Sequence, residues 1–372
     1  MPLLNSSQTQ LTTGSNGHLL DVLEDIVHKV EIQSDFSIQH PDYKPLELPI
    51  EVVARFQKIP SQMQQKYLSL QLRSFLYGIY YNGSMRSALA LDREGNNLPL
   101  DLENNTVLGV DLGFYERLHE SNFGKGYFDL GWSVLREEND GSLAVTKNGL
   151  RLHIQRNKHL QAFEQAAVVG DFVAIQMPKN RVQNGFYMAV GNAGFSHLED
   201  VNHQSAVTVR IYFNLTPEGA VAVMGSLTKQ LNELGTPFSF KVLYNPKEYQ
   251  RYDSAVLYFD KRDYEIVKQV LKLVYQEHQS YFQQEIPLFT KQLLPGLGLA
   301  EEPDQKFAVL ESFGMNRCQI VANGLLTAWY QEDGSTEGRM QAILEQFSLL
   351  GIELQRSYLN ANSEDIYTLL DL

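Results

Sequence analysis

The chain has 372 residues, 43% hydrophobic and 20% charged, which suits one large domain or two and argues against disorder over most of its length. A formal net charge of −13 speaks against a general nucleic-acid binder, and a single cysteine, Cys318, excludes a disulfide framework or a cysteine-rich zinc site. No signal-peptide pattern opens the chain and no long uncharged apolar run interrupts it, so the expected address is cytoplasmic, without a membrane partner.

Residues 1 to about 16 are polar and read as loose. From His18 to Ile32 the apolar residues Leu19, Leu20, Val22, Leu23, Ile26, Val27 and Val30 recur at helical spacing. Pro41, Pro45 and Pro49 then punctuate the chain, and Ser61 can cap a helix running to about Tyr80, ended by Asn82-Gly83. Residues 1–115 therefore read as a helical N-terminal region, and residues 116–372 as an α+β domain. Strand patterns dominate from about Gly126 to Tyr258, notably at 172–177, 207–213 and 255–259, with turn signals at Asp140-Gly141 and Thr216-Pro217-Glu218-Gly219. Helices are expected from Ala220 to Leu234 and from Asp263 to about Gln284. A Gly/Pro/acidic loop over 295–304 precedes a helix from about Gly314 to Trp329, and Ser335 can cap the last helix, to about Leu350. With few regular βα alternations, the pattern predicts a mainly antiparallel sheet flanked by helices.

Familiar cofactor motifs are missing. Gly124-Lys125-Gly126 is followed by Tyr127 and lacks the preceding glycine of a phosphate-binding loop, and Gly191-Asn192-Ala193-Gly194 lacks dinucleotide spacing. The nine histidines show no paired metal-ligand spacing, so neither metal nor cofactor is expected. Between Arg151 and Arg181, however, five basic residues (Arg151, Arg156, Lys158, Lys179, Arg181) face only Glu164 and Asp171, a local positive balance that suits an anionic ligand.

An ordered set of segments carries a family likeness. It comprises Asn122-Phe123-Gly124-Lys125-Gly126-Tyr127-Phe128-Asp129-Leu130-Gly131-Trp132, then Gly170-Asp171-Phe172-Val173-Ala174 and Gly185-Phe186-Tyr187-Met188-Ala189-Val190-Gly191. Val209-Arg210-Ile211-Tyr212-Phe213-Asn214, Phe240-Lys241-Val242, Arg251-Tyr252-Asp253 and Ser312-Phe313-Gly314-Met315-Asn316-Arg317 follow. Over about residues 115–330 the chain resembles the HopA1 type III effector-domain family. That family includes secreted effectors and also lyase components of modified-peptide biosynthesis of the lanthipeptide type. The resemblance implies a phosphoserine/phosphothreonine lyase. Such an enzyme would act after a separate Ser/Thr kinase on a phosphorylated precursor peptide, leaving dehydroalanine or dehydrobutyrine.

Such an elimination needs a base for the Cα proton, cations for the phosphate and an acid for the leaving oxygen. Lys241, set between Phe240 and Val242 in a strand-like run, is the candidate base, with Asp253 orienting it or Arg251. Arg210 and Arg251 are candidate phosphate ligands, since a guanidinium grips phosphate through two parallel hydrogen bonds. Lys125 in its Gly-flanked loop, Tyr187, Tyr212 and Arg317 are further candidates for contact with substrate. Arg151-Leu152-His153 presents both polar residues on one strand face. It resembles the Lys-x-His pair of the phosphothreonine lyase family, where histidine is the general acid, but with Arg in first place; His153 is the candidate acid and Arg151 a candidate ligand. The competing reading is a non-catalytic, effector-like peptide- or protein-binding module. What separates the two is whether Lys241, Arg210 and Arg251 converge.

Overall fold

The computed structural model describes residues 15–91, 106–107, 109–195 and 207–372; most of the polar stretch 1–16 lies outside them. The fold is α+β, with antiparallel sheets and flanking helices. Helix α1 (Ser15–Lys29) buries Leu19, Leu23, Ile26 and Val27, the stripe its periodicity predicts. The Pro-punctuated stretch after it is not purely irregular: three short strands, Glu31–Ile32, Ile38–His40 and Tyr43–Leu46, form a small antiparallel sheet. Helix α2 (Ser61–Leu76) begins at Ser61, but Pro60 occupies the N-cap position and no side chain caps it. The helix then widens into a π-helical turn, Tyr77–Tyr81, which sets Tyr77 and Tyr81 in a stack with centroids 4.9 Å apart. Helix α3 (Leu112–Ser121) is capped by the Asp111 carboxylate, which accepts from the Phe114 amide.

The strand-rich stretch divides into two sheets. Strands β1 (Tyr127–Glu137), β2 (Leu143–Lys147), β3 (Leu150–Ile154) and β4 (Phe172–Met177) form one, in the order β3-β2-β1-β4. A small core of its own, including Trp132, Val134, Leu143, Val145 and Ile175, lies on one face. Gly126 leads into β1 with φ +91, and a Cβ there would meet the Met177 carbonyl oxygen at 2.2 Å, so only glycine fits where β1 meets β4.

The larger sheet comprises β5 (Asn180–Gln183), β6 (Phe186–Val190), β7 (Thr208–Phe213), β8 (Ser239–Leu243), β9 (Ala255–Asp260), β10 (Lys291–Leu294) and β11 (Leu297–Glu301). Its order is β5-β6-β8-β9-β7-β11-β10, antiparallel throughout. The expected loop over 295–304 is a hairpin instead. Its second strand, β11, is wholly buried beside β7, because Leu297, Leu299 and Ala300 outweigh the local turn signals of Pro295 and Gly296.

Directly paired residues of antiparallel strands share a face. On one face Phe213 meets Phe240 and Phe282, and Tyr187 meets Tyr115 of α3. Helices α4 (Pro217–Glu233) and α5 (Tyr264–His278) contribute Val223, Leu227, Val270 and Val274 to the same core. On the other face Tyr212 meets Tyr81 and Phe313, the latter opening helix α6 (Phe313–Tyr330). Helix α7 (Thr336–Leu349) follows, capped by Ser335 as its sequence suggests. One core therefore extends from Leu19 to Leu370, across the expected boundary at 115/116. Among the described residues no helix is long and apolar enough to cross a membrane.

Candidate functional site

On the sheet face that meets Tyr81 and Phe313, two rows of residues run across the strands. The first is Arg181, Met188, Lys241, Val256, Tyr212 and Gly298, each directly opposite the next. The second is Ser239, Tyr258, Arg210 and Ala300. Lys241 and Arg210 therefore share a face by register.

Aromatic rings join the cations. The Lys241 Nζ lies 4.7 Å from the centroid of the Phe186 ring and 5.3 Å from that of Tyr258. The same Tyr258 ring carries the Arg210 guanidinium at 5.0 Å, and the same Phe186 ring has the Arg251 guanidinium at 6.0 Å. The result is a ladder, Arg251–Phe186–Lys241–Tyr258–Arg210. Attraction between a cation and a ring face is worth ~0.5–2 kcal/mol, and the rings let three like charges stand close with low-polarity groups between them.

The two ends of the ladder are pinned by carboxylates. Asp253, buried, accepts from Arg251 Nε at 2.5 Å and Nη2 at 2.9 Å, and also from Asn82 Nδ2 at 3.2 Å and the Tyr77 hydroxyl at 3.3 Å. Burial alone would raise the Asp253 carboxyl, but the Arg251 guanidinium, helped by Lys241 and Asn82, holds it below its ordinary value. It is therefore a carboxylate at neutral pH. At the other end Arg210 pairs with Glu302, which also accepts from Lys306. Burial would raise Glu302 too, and Arg210 and Lys306 lower it. Each guanidinium uses Nε and Nη2 on its carboxylate, and that of Arg210 also reaches the Tyr212 hydroxyl. Lys241 differs: among the described residues no hydrogen bond or ion pair occupies its nitrogen.

The Tyr212 hydroxyl, with Arg210 and Tyr81 near it, is buried without a hydrogen-bond partner of good geometry. Three cations against two carboxylates, beside a hydroxyl in want of a donor, form a locally positive interior face on an acidic protein. Next to it lies a cavity of about 520 Å³ between the two sheets, with Tyr258, Ser239 and Met188 on its large-sheet wall and Tyr127, Phe128 and Asp129 on the other.

The remaining candidates are not brought to this face. Tyr187 is one residue out of phase, pairs with Val242 and points to the opposite side, where its hydroxyl accepts from Asn122 and contacts His119 Nδ1 at 3.1 Å. Alternation thus removes it from contact with a ligand of Lys241. His153 and Arg151 lie exposed on β3, the outer edge of the smaller sheet, with His153 Nδ1 3.5 Å from Glu138. Lys125 is exposed, and only its backbone is engaged, the amide donating to Asn192 Oδ1 at 2.7 Å.

Arg317 is fully buried, and its guanidinium is spent on the carbonyls of Ser357 and Leu359 and on Asn316 Oδ1. Burial pushes its pKa down to about 10, so it remains charged at neutral pH. The Cys318 thiol, buried beside it in sequence, is pushed up by the same cause. Two ladder members were absent from the sequence reading, Tyr258 and Phe186. Both occupied segments already singled out, but only register shows which rings meet which cations. No group of three His, Cys, Asp or Glu among the described residues is placed to hold a metal ion.

All five rungs of the ladder lie between Phe186 and Tyr258, and that stretch falls inside one family match. Residues 177–359 match the HopA1 effector protein family. The HopA1 region begins later than the resemblance read from sequence, near 115, and ends later than 330. Lys125, Arg151 and His153 thus lie outside it, and the ladder within it. Two solved effector proteins are similar to the chain, each with a TM-score of 0.39 and each match covering 67% of this chain and 81% of the other. One is from Pseudomonas syringae pv. tomato strain DC3000, at 16% identity, and one from Pseudomonas syringae pv. syringae strain 61, at 14%. No curated protein sequence matches the chain.

Proposed function

We propose that this HopA1-family chain is a phosphoserine/phosphothreonine lyase acting on a precursor peptide phosphorylated by a separate Ser/Thr kinase. The observation that carries the reading is the convergence of Lys241, Arg251 and Arg210 through two shared rings, with the Lys241 nitrogen unoccupied. Cations that pointed to separate surfaces would have favoured a binding module.

In the reaction, the Lys241 ammonium first gives up a proton to solvent, and the amine so formed takes the Cα proton and becomes an ammonium again. The electron pair of the C–H bond forms the Cα–Cβ double bond, and the Cβ–O bond breaks with its pair going to phosphate. The guanidinium groups of Arg251 and Arg210 stabilise the charge that gathers there. Phosphate leaves as the hydrogenphosphate dianion, so one proton must reach it. Tyr258, whose ring lies against both Lys241 and Arg210, takes the role of acid in place of His153. Asp253 and Glu302 are positioning residues that hold the two guanidinium planes. Neither cofactor nor metal takes part in these steps.

The experiment is to incubate the protein with a phosphoserine peptide and with its unphosphorylated twin, following loss of phosphoric acid by mass spectrometry. Elimination from the phosphopeptide alone, reduced by at least ~100-fold in Lys241→Ala, is the expected result for loss of a general base. Tight, phosphate-dependent binding with no mass loss would instead make the chain a recognition module.

A further inference from the structure

The cavity beside the ladder holds a cation that the proposed elimination does not use. Arg181 lines it and starts the same cross-strand row as Lys241, with only Met188 between them. Its guanidinium lies over the Phe195 ring at 4.6 Å from the centroid and also reaches the hydroxyl of the buried Tyr127 side chain. Among the described residues no carboxylate pairs with it. The cavity's other cation is already committed: Lys147 Nζ donates to Asp129 Oδ1 at 2.8 Å and to the Leu130 carbonyl at 2.7 Å. Arg181 is thus a guanidinium set over an aromatic ring, with one partner in the Tyr127 hydroxyl and N–H donors to spare, on the wall of an aromatic-lined cavity of about 520 Å³.

Spacing says what such a group could read. Neighbouring strands stand about 4.8 Å apart, so the backbones carrying Arg181 and Lys241 are about 10 Å apart. In an extended peptide, side chains on one face recur every ~7 Å, two residues on. The reach of an arginine and a lysine side chain closes the difference. A peptide whose phosphorylated residue meets Lys241 would therefore bring the side chain two positions away to Arg181.

We infer that Arg181 is a specificity residue of the proposed lyase, taking an acidic side chain or a second phosphoryl group two positions from the phosphorylated residue. This rests on the lyase reading, and adds to it a substrate class: peptides with anionic groups at alternate positions. Phe195 supplies the platform, and the rings of Tyr127 and Phe128 flank the peptide between the sheets.

Fluorescence anisotropy with four labelled peptides tests this, using phosphoserine or serine at the reacting position and Glu or Gln two residues on. With the natural protein, changing Glu to Gln in the phosphopeptide should weaken binding about tenfold, as for loss of a charge-assisted hydrogen bond. With Arg181→Gln the same change should cost less than about twofold, and Arg181→Lys should recover part of the discrimination. Phosphate-dependent binding with equal Glu-to-Gln effects in the natural protein and Arg181→Gln overturns the role of Arg181 and leaves the lyase reading standing. If phosphoserine and serine peptides bind alike, the lyase reading itself falls, and the inference falls with it.

Discussion

At the residue scale, the site depends on how buried charge is compensated. Asp253 has four donors and Arg251 depends on it for two of its hydrogen bonds. Replacing Asp253 with Asn leaves a half-buried guanidinium without its counter-ion, and breaking such a pair costs ~3–5 kcal/mol. Urea denaturation of Asp253→Asn should show that loss, and a change under about 1 kcal/mol would mean that Arg251 finds water or another partner. The pH dependence has a fixed sign. Asp253 and Glu302 both lie below their ordinary values in the folded protein, so their stabilisation is complete above the unfolded carboxylate range, about pH 4 to 4.5. It is lost as pH falls through their lowered folded values. Stability of the natural protein should therefore drop below about pH 4, and less steeply in Asp253→Asn, whose side chain does not titrate. The sequence named Lys241, Arg210, Arg251 and Asp253, because a cation inside an apolar strand is conspicuous. It named Tyr187 too, wrongly for this face, because a shift of one residue reverses a strand side chain. It passed over Phe186 and Tyr258 and counted Arg181 only as one of a basic stretch, because their places depend on pairings between strands that composition does not encode.

At the scale of elements, the ladder is held from above by close packing between the π-helical turn and the start of α6. Gly314 is where they touch. A Cβ there would meet Cε1 and Cζ of the Tyr81 ring at 2.3 Å, and the ring is fully buried, so it has no room to swing aside. Tyr81 is stacked on Tyr77, and Tyr77 donates to Asp253, so displacement would pass along that path to Arg251. Gly314→Ala should destabilise by ~1–3 kcal/mol, as overpacking does. It should also lower the proposed elimination activity more than stability alone explains. The control is Gly334→Ala, where nothing lies within 4 Å, with an expected effect within about 0.5 kcal/mol. Equal melting temperatures for the two variants would show that Tyr81 yields freely. Most helices were legible from their periodicity, and Ser335 from its capping chemistry. The π turn and strand β11 were not. The first depends on tertiary packing around Tyr81, and the second is a short apolar run whose Gly and Pro neighbours look like a loop until β7 pairs with it.

At the scale of the whole molecule, the last residues tie down the far end of the ladder. Glu301, fully buried on β11, accepts from Lys261, Ser363, Tyr367 and the Asn360 amide. Its own amide donates to the Tyr358 carbonyl at 2.8 Å, and Asn360 Nδ2 donates to the carbonyl of Glu302 at 2.9 Å. Glu302 is the residue that orients Arg210, so the C-terminal segment fixes a ladder component through one peptide unit. Arg317 holds the same segment from α6 through the Ser357 and Leu359 carbonyls. Removing residues 357–372 would strip Glu301 of all these side-chain donors except Lys261, and would leave Arg317 buried with Asn316 alone. Two poorly compensated buried charges cost at least ~3–5 kcal/mol, against a total stability of ~5–15 kcal/mol for a folded protein. The truncated chain should therefore unfold at much lower urea concentration, or fail to fold cooperatively. The milder Glu301→Gln keeps the shape while weakening the tie to Lys261, and should fold with reduced stability and looser binding of phosphopeptide through Arg210. A truncated chain with an unchanged urea midpoint would show that the tail merely rests on the core, and that Glu302 is held in place by β11 alone.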